Sequence, residues 1–459
     1  MTAADWSLAP MIDTRDPHQD ALVAFRNPSV RTVDVAVIGG GAVGVSTAWE
    51  LARGGASVAL LERGPELAWG CSAGNAGIVG PSHVVPLASP DAVRDGLRWM
   101  TRPDSPFYVR PSPAVVPWLS RFAAASAPHR VRRSREVLRD LAVRSAGLHA
   151  DLAAAGLETG YRQAGLLNVF SRESAFAAAR RDALLDERDG IPHEVLSAED
   201  VPGRAPTFAA DLAGAILSPG EAHCDPHRFV TAVGDEARRA GVDIRTGVEV
   251  LELRRSGGRI ESLWTTEGDI AVGEVVVAAG VWTPQFGSQL GVELAIEAGK
   301  GYHVDVPSGD GDPELPIWLH EDRVVITPLE GRVRFAGTME LSGVNHDVSR
   351  RRVDAIGAAV GRALPSLGSR PPAHVWRGLR PCTPDGLPVI GRPPAIVNAT
   401  LAAGHGMWGL QLAPVTAELV ASVISGDDAA DLIPLRAGRF QLRDRSSAKS
   451  PQPSLAAAS

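Results

Sequence analysis

Residues 33–63 carry the feature that most constrains what this chain can fold into. Val33, Val35, Val37 and Ile38 read as a buried strand that stops abruptly in glycines. The segment AVGVSTAWELARGG reads as a helix ended by Gly54 and Gly55, and SVALLER (residues 57–63) as a second buried strand. A βαβ unit of about 30 residues must cross over right-handed between parallel strands. At its first turn Gly39, Gly41 and Gly44 spell G-x-G-x-x-G. In that context the first glycine permits a tight turn and the second lets a pyrophosphate approach the backbone. The third lets helix and strand pack closely. Ala42 and Val43 open the helix, whose N–H groups and dipole favour an anion. Glu62 ends the second strand, placed to accept from ribose hydroxyls, and an acid there disfavours a 2′-phosphate.

A second glycine-rich turn, Gly404-His405-Gly406-Met407-Trp408-Gly409, precedes another helical pattern near the far end of the chain. A flavin reduced beside a helix N-terminus has its new negative charge stabilised, so two such turns favour a flavin dinucleotide. With cofactor turns at both ends of 459 residues, two domains should be interleaved rather than consecutive. A net charge of −7 argues against nucleic acid as a partner. Cys71, Cys224 and Cys382 contain no C-x-x-C, which excludes a zinc ribbon and a disulfide scaffold and fits a reducing compartment.

Residues 1–32 show no signal-peptide pattern, and no run of about 18 apolar residues exists. A cytoplasmic location is therefore expected. Arg130, Arg132, Arg133 and Arg135 leave open a peripheral position on the inner face of the cell membrane. Residues 86–160 read as mostly helical, and residues 166–219 as short strands. His223, Cys224, Asp225 and His227 look like metal ligands on paper, but Asp225-Pro226 is a helix start, so no metal is expected. Of 46 basic residues only Lys300 and Lys449 are lysine, which makes Lys300 conspicuous.

The segments DVAVIGGGAVGVSTAWELA, LER, CSAGNAGIVGP, KGYHVDV, WRGLRPCTPDGLPVIG and AAGHGMWG occur in this order and bracket residues 33 to 426. In them the chain resembles the D-amino-acid-oxidase-type FAD-dependent oxidoreductases, nearest to the small-subunit branch of D-amino-acid dehydrogenases. The resemblance implies an α/β protein: a Rossmann-like FAD-binding domain interleaved with an α+β substrate domain carrying a mixed, largely antiparallel sheet. It divides the chain into an N-terminal extension (1–32), FAD-domain segments (33–100, 221–290, 376–440), substrate-domain segments (101–220, 291–375) and a disordered tail (441–459).

It also implies non-covalent FAD lined by Arg63, Cys71, Ser72, Asn75, Ala76, Gly77, Ile78, Val248 and Gly280, besides the two glycine turns. Arg380 would pair the substrate carboxylate, as a fixed fork of donors does well. His405 and Tyr302 are candidates for catalytic roles. Lys300, His83 and His320 are candidates for substrate contact, the last two lying where the chain departs from the family pattern. The expected reaction is hydride transfer from the substrate α-carbon to flavin N5, giving an imino acid that hydrolyses to a 2-oxo acid and ammonia. Electrons would pass to a quinone or another carrier. The alternatives are an O2-using oxidase of glycine, sarcosine or another secondary or cyclic amino acid, and a non-catalytic flavin-binding subunit.

Overall fold

The computed structural model describes residues 31–82, 84, 86–90, 105–188, 190–209, 211–427 and 430–441. The expectations for His83, for the extension before residue 31 and for the tail beyond residue 441 lie outside the described residues.

Strand β1 (Arg31–Ile38) forms the middle of a first sheet, and it is buried because it is paired on both sides. It runs parallel to β2 (Val58–Glu62), with Val35 opposite Val58, and parallel to β12 (Gly268–Val277), with Val35 opposite Glu274. Helix α1 (Ala42–Arg53) crosses between β1 and β2. β9 (Asp243–Thr246) extends the sheet in parallel beyond β2. β10 (Val250–Ser256) and β11 (Arg259–Thr265) extend it as antiparallel hairpins beyond β12. The C-terminal half of β12 takes β19 (Ala399–Ala403) in parallel, and β18 (Val389–Gly391) pairs β19. One sheet thus draws on three separated stretches of chain, as interleaving requires. Helices α5 (Pro226–Arg239) and α9 (Ala413–Ser425) flank α1, and α3 (Pro128–Ala154) lays Leu138, Leu141 and Ala142 on the same core. Asp225 caps α5, accepting from the N–H groups of His227 (3.0 Å) and Arg228 (3.3 Å).

The second sheet contains, in order, β17 (His374–Cys382), β13 (Glu297–Pro307), β16 (Arg332–Leu341), β15 (Val324–Leu329), β14 (Ile317–Leu319), β5 (Leu166–Phe170), β7 (Gly214–Ser218) and β6 (Glu194–Leu196). Its pairs are antiparallel except β14 with β5 and β4 (Phe107–Val109) with β16. Helix α7 (Arg350–Ala363) covers one face, setting Val353, Ile356 and Val360 against Tyr302, Val304 and Phe335. Around the edges lie α2 (Val116–Ala125), α4 (Glu173–Arg188), α6 (Gly287–Leu290) and α8 (Pro365–Gly368). The short pair β3 (Ile78–Val79) and β8 (Ala222–His223) joins the two halves.

β17 belongs to the second sheet, so Trp376–Cys382, expected at the start of an FAD-domain segment, pairs with β13 instead. The stretch expected to be mostly helical holds α2 and α3, with one three-residue strand, β4, paired to β16. Among the described residues no helix is long and apolar enough to cross a membrane.

Candidate active site

A cavity of about 1130 Å³, counted with its open mouth, lies at the C-terminal ends of β1, β2, β12 and β19. This is where open α/β sheets bind their ligands. Gly39 has φ +112°, and a Cβ on it would stand 2.5 Å from the Ala278 carbonyl oxygen. A Cβ on Gly44 would stand 1.8 Å from the Gly39 carbonyl oxygen, so the third glycine is what lets α1 approach β1. Gly41, Ala42 and Val43 put the N-terminus of α1 into the cavity, and that first turn holds no acid. Ser72 Oγ accepts from the Ala42 N–H at 3.0 Å and closes the turn from above. Glu62 accepts from the N–H groups of Gly40 and Gly64, each at 2.6 Å, which fixes its carboxylate at the strand end. Arg63 lies 3.8 Å over the Trp282 ring. The remaining wall includes Cys71, Asn75, Val248 and Gly280, followed by His405, Gly406 and Gly409. An extended dinucleotide fits these residues: a glycine cradle for the pyrophosphate, an acid for the ribose, and a second turn at the other end.

Supporting residues stand behind that wall. Asn75 Nδ2 donates to the Met407 carbonyl at 3.0 Å and Asn75 Oδ1 accepts from the Gly77 N–H at 2.8 Å, which binds the two cofactor turns together. Gly77, at φ +84°, passes too close to the Cys224 carbonyl for any side chain. Ala76 and Ile78 hold that loop against the second sheet, Ala76 through its carbonyl and Thr327 Oγ1 at 2.8 Å. Gly404, at φ +77°, leads into the turn, and Trp408 packs into the helical core. His405 is buried and bonded to Thr416 Oγ1 at 3.0 Å. Burial drives its pKa down to about 3, so it is a neutral ring near pH 7 and neither gives nor takes a proton there.

Arg380 lies on β17, and its neighbours Leu379 and Pro381 both line the cavity. Burial raises the pKa of the Cys71 thiol, and the charge of Arg380 pulls against that rise. Register pairing puts Arg380 opposite Gly299, and Gly301 opposite Gly378, on the face that receives the 71–77 loop.

Three expectations fail here. Lys300 and Tyr302 are both buried and neither is part of the cavity wall, Tyr302 packing under α7. The Lys300 ammonium meets three acceptors, Asn345 Oδ1 at 2.7 Å, the Asp347 carbonyl at 2.9 Å and Glu340 Oε2 at 3.1 Å. Three N–H donors on a tetrahedral nitrogen are matched one for one, which a planar guanidinium would not reproduce. Tyr302 donates to Glu340 Oε2 at 2.9 Å and accepts from the Ser349 N–H at 3.1 Å; burial raises its pKa, and its hydroxyl is spent on the core. His320 packs on Phe170, 4.7 Å between ring centres, and lies outside the cavity wall.

Sequence reasoning overlooked the aromatic walls Trp69 and Trp282 and the clamp on the 71–77 loop. Arg334 donates from Nη1 to the carbonyls of Ala73 (2.7 Å) and Asn75 (3.0 Å), and from Nε and Nη2 to Asp305, each at 2.9 Å. Burial would raise the Asp305 pKa, but Arg334 holds it well below the usual carboxylate range. Trp282 follows directly on the β12 turn and was findable there. Arg334 had no signal to separate it from the other arginines. His303, Asp305 and His374 bring potential metal-ligand atoms within 4.8 Å of one another. Asp305 is nevertheless saturated by Arg334 and by Arg332 at 3.2 Å, two cations where a third would have to stand.

The family model described as DAO, FAD-dependent oxidoreductase, matches residues 34–423. The chain is 34% identical over 405 residues to a D-amino acid dehydrogenase of Rhizorhabdus wittichii, covering 85% of this chain and 96% of that protein. It is 32% identical over 400 residues to a D-amino acid dehydrogenase of Cereibacter sphaeroides, covering 85% and 92%. The crystal structure of glycine oxidase from Geobacillus kaustophilus superposes with TM-score 0.74 at 25% identity, covering 89% of this chain and 99% of that one. A glycine cradle with its ribose acid, a second glycine turn facing it and a match across both sheets lead to one assignment: the chain belongs to the DAO family of FAD-dependent oxidoreductases.

Proposed function

We propose that this enzyme oxidises free D-amino acids to 2-oxo acids and ammonia and passes the electrons to a quinone or another carrier. The observation that carries the reading is Arg380, whose side chain lies on the face of β17 that receives the cavity-lining 71–77 loop and whose guanidinium spends one hydrogen bond, from Nη1, on the chain. A bidentate carboxylate partner there would fix the substrate and aim its Cα–H into the cavity. FAD, when bound, supplies the hydride acceptor at its N5. The neutral amine lone pair forms the C=N bond as hydride leaves, so the reaction asks no acid–base pair of the chain. That requirement agrees with the neutral, hydrogen-bonded His405. The imine then takes up water and releases ammonia.

Flavin attachment is proposed to be non-covalent. Cys382 is buried, and burial pushes its thiol up to about 12. Acid precipitation should leave the flavin in the supernatant. We also place the enzyme in the cytoplasm, where the exposed Arg130, Arg132 and Arg133 of α3 offer a basic patch to an anionic membrane face.

The glycine oxidase likeness favours one second reading, an O2-using oxidase of glycine, sarcosine or a cyclic amino acid. Peroxide formation compared with reduction of an artificial quinone separates the two. Arg380→Ala tests the shared part: KM for amino acids should rise steeply, by two orders of magnitude or so, with FAD still bound. Normal turnover by that variant would refute the role given to Arg380.

A further inference from the structure

We propose that Gly301 and the bulge residue Thr338 form a fitted seat that fixes the position of the Arg380 guanidinium, making both positions determinants of carboxylate specificity. This rests on the reading of Arg380 as the carboxylate partner.

Three glycines lie together on the face of β13 and β17 that receives the 71–77 loop, and three large side chains fill the spaces they leave. A Cβ on Gly299 would stand 2.4 Å from Met339 Sδ, and one on Gly378 would stand 1.9 Å from the Trp376 ring. A Cβ on Gly301 would stand 2.0 Å from Arg380 Nη1 and 2.3 Å from both Cζ and Nη2. These nearly equal distances mean that the guanidinium plane lies flat across the Gly301 Cα.

The second half of the seat is a bulge. Lys300 pairs with Glu340 and Tyr302 with Gly337, so Thr338 and Met339 of β16 together face the single residue Gly301. Thr338 has φ +68°, a left-handed conformation that a β-branched residue adopts only when its surroundings force it. Its neighbour is held from outside, the Met339 N–H donating to the Pro106 carbonyl at 2.8 Å. The twist turns the Thr338 carbonyl onto Arg380, which donates to it from Nη1 at 2.7 Å. This is the one side-chain hydrogen bond Arg380 makes among the described residues, and it engages Nη1 alone. Gly301 sets the height of the fork and Thr338 sets its rotation. Thr338 acts through its backbone, so both are positioning residues.

Gly301→Ala is the test, because the atoms in its way are the movable end of one side chain and the strand itself is not obstructed. The holoenzyme should keep its FAD content and Tm. Its KM for D-amino acids and its inhibition constant for simple carboxylates should rise together by about tenfold or more, with kcat changed far less. In an Arg380→Lys background, where no guanidinium plane occupies the seat, adding Gly301→Ala should change KM by less than about twofold. Thr338→Gly keeps the carbonyl and relieves the backbone, so it should raise Tm, and a lowered Tm would overturn the strain assigned to Thr338. An unchanged KM in Gly301→Ala, together with a raised KM in Arg380→Lys, overturns the seat and spares the Arg380 reading. An unchanged KM in both overturns that reading itself. A rise of equal size in the Arg380→Lys background, or failure of Gly301→Ala to fold, also overturns the seat, since either would mean that the methyl obstructs something other than the guanidinium.

Discussion

Replacing Glu221 with glutamine should stabilise the protein at neutral and alkaline pH while changing little in acid. Glu221 is 1% exposed; its Oε1 accepts from the Ser82 N–H at 3.0 Å, and its Oε2 has no hydrogen-bond partner among the described residues. Burial lifts its pKa from an ordinary 4.5 to about 7; the Ser82 hydrogen bonds and the charge of His193 oppose the rise, and Asp186 adds to it. Below about pH 4.5 folded and unfolded chains both hold this proton. Between about 4.5 and 7 only the folded chain holds it, so stability falls as pH rises; above about 7 the loss is complete. A gap of about 2.5 units at 1.36 kcal/mol each amounts to about 3 kcal/mol. Glutamine does not titrate, and its carbonyl can keep the Ser82 contact. Urea unfolding of both proteins from pH 4 to 8 should show the variant's relative stability growing by about 3 kcal/mol across that window and then levelling off. A difference that stays constant with pH would refute the reasoning, because it would mean that Glu221 ionises in place like an exposed acid.

Gly44→Ala drives a methyl into the Gly39 carbonyl, backbone against backbone, so it should cost about 1–3 kcal/mol and yield protein largely free of FAD. Full flavin content by absorbance would contradict the cradle. Lys300→Arg, mild on paper, should destabilise by about 2–4 kcal/mol in urea, since a planar fork cannot meet Asn345, Asp347 and Glu340 together. Unchanged stability would mean that the three-acceptor match is not what retains the lysine. Asp225→Ala removes the cap of α5 and the partner of Arg332, and should lower stability by about 1–2 kcal/mol; an unaltered midpoint would contradict that role.

What was legible in the sequence was whatever local backbone chemistry imposes. Gly39 and Gly44 need their identity because carbonyl oxygens stand where a side chain would be, and Glu62 must end its strand to face that turn. The Asp225-Pro226 helix start is equally local. What was hidden depends on long-range register. Whether Lys300 or Gly301 shares a face with Arg380 is set by how β13 pairs with β17, and a strand with glycines between large residues has no amphipathic pattern to reveal its faces. The place of Tyr302 is hidden for the same reason. Arg334 grips a loop about 260 residues away in sequence, and nothing near it announces that contact.

The most direct test of the central claim is anaerobic mixing of the purified holoenzyme with a panel of D-amino acids, L-amino acids, glycine and sarcosine while the visible flavin absorbance is followed. Rapid bleaching by D-amino acids, with one equivalent of 2-oxo acid formed per flavin reduced, is the expected result. A flavin that stays oxidised with every amino acid of the panel would contradict the assignment of amino-acid oxidation to this site.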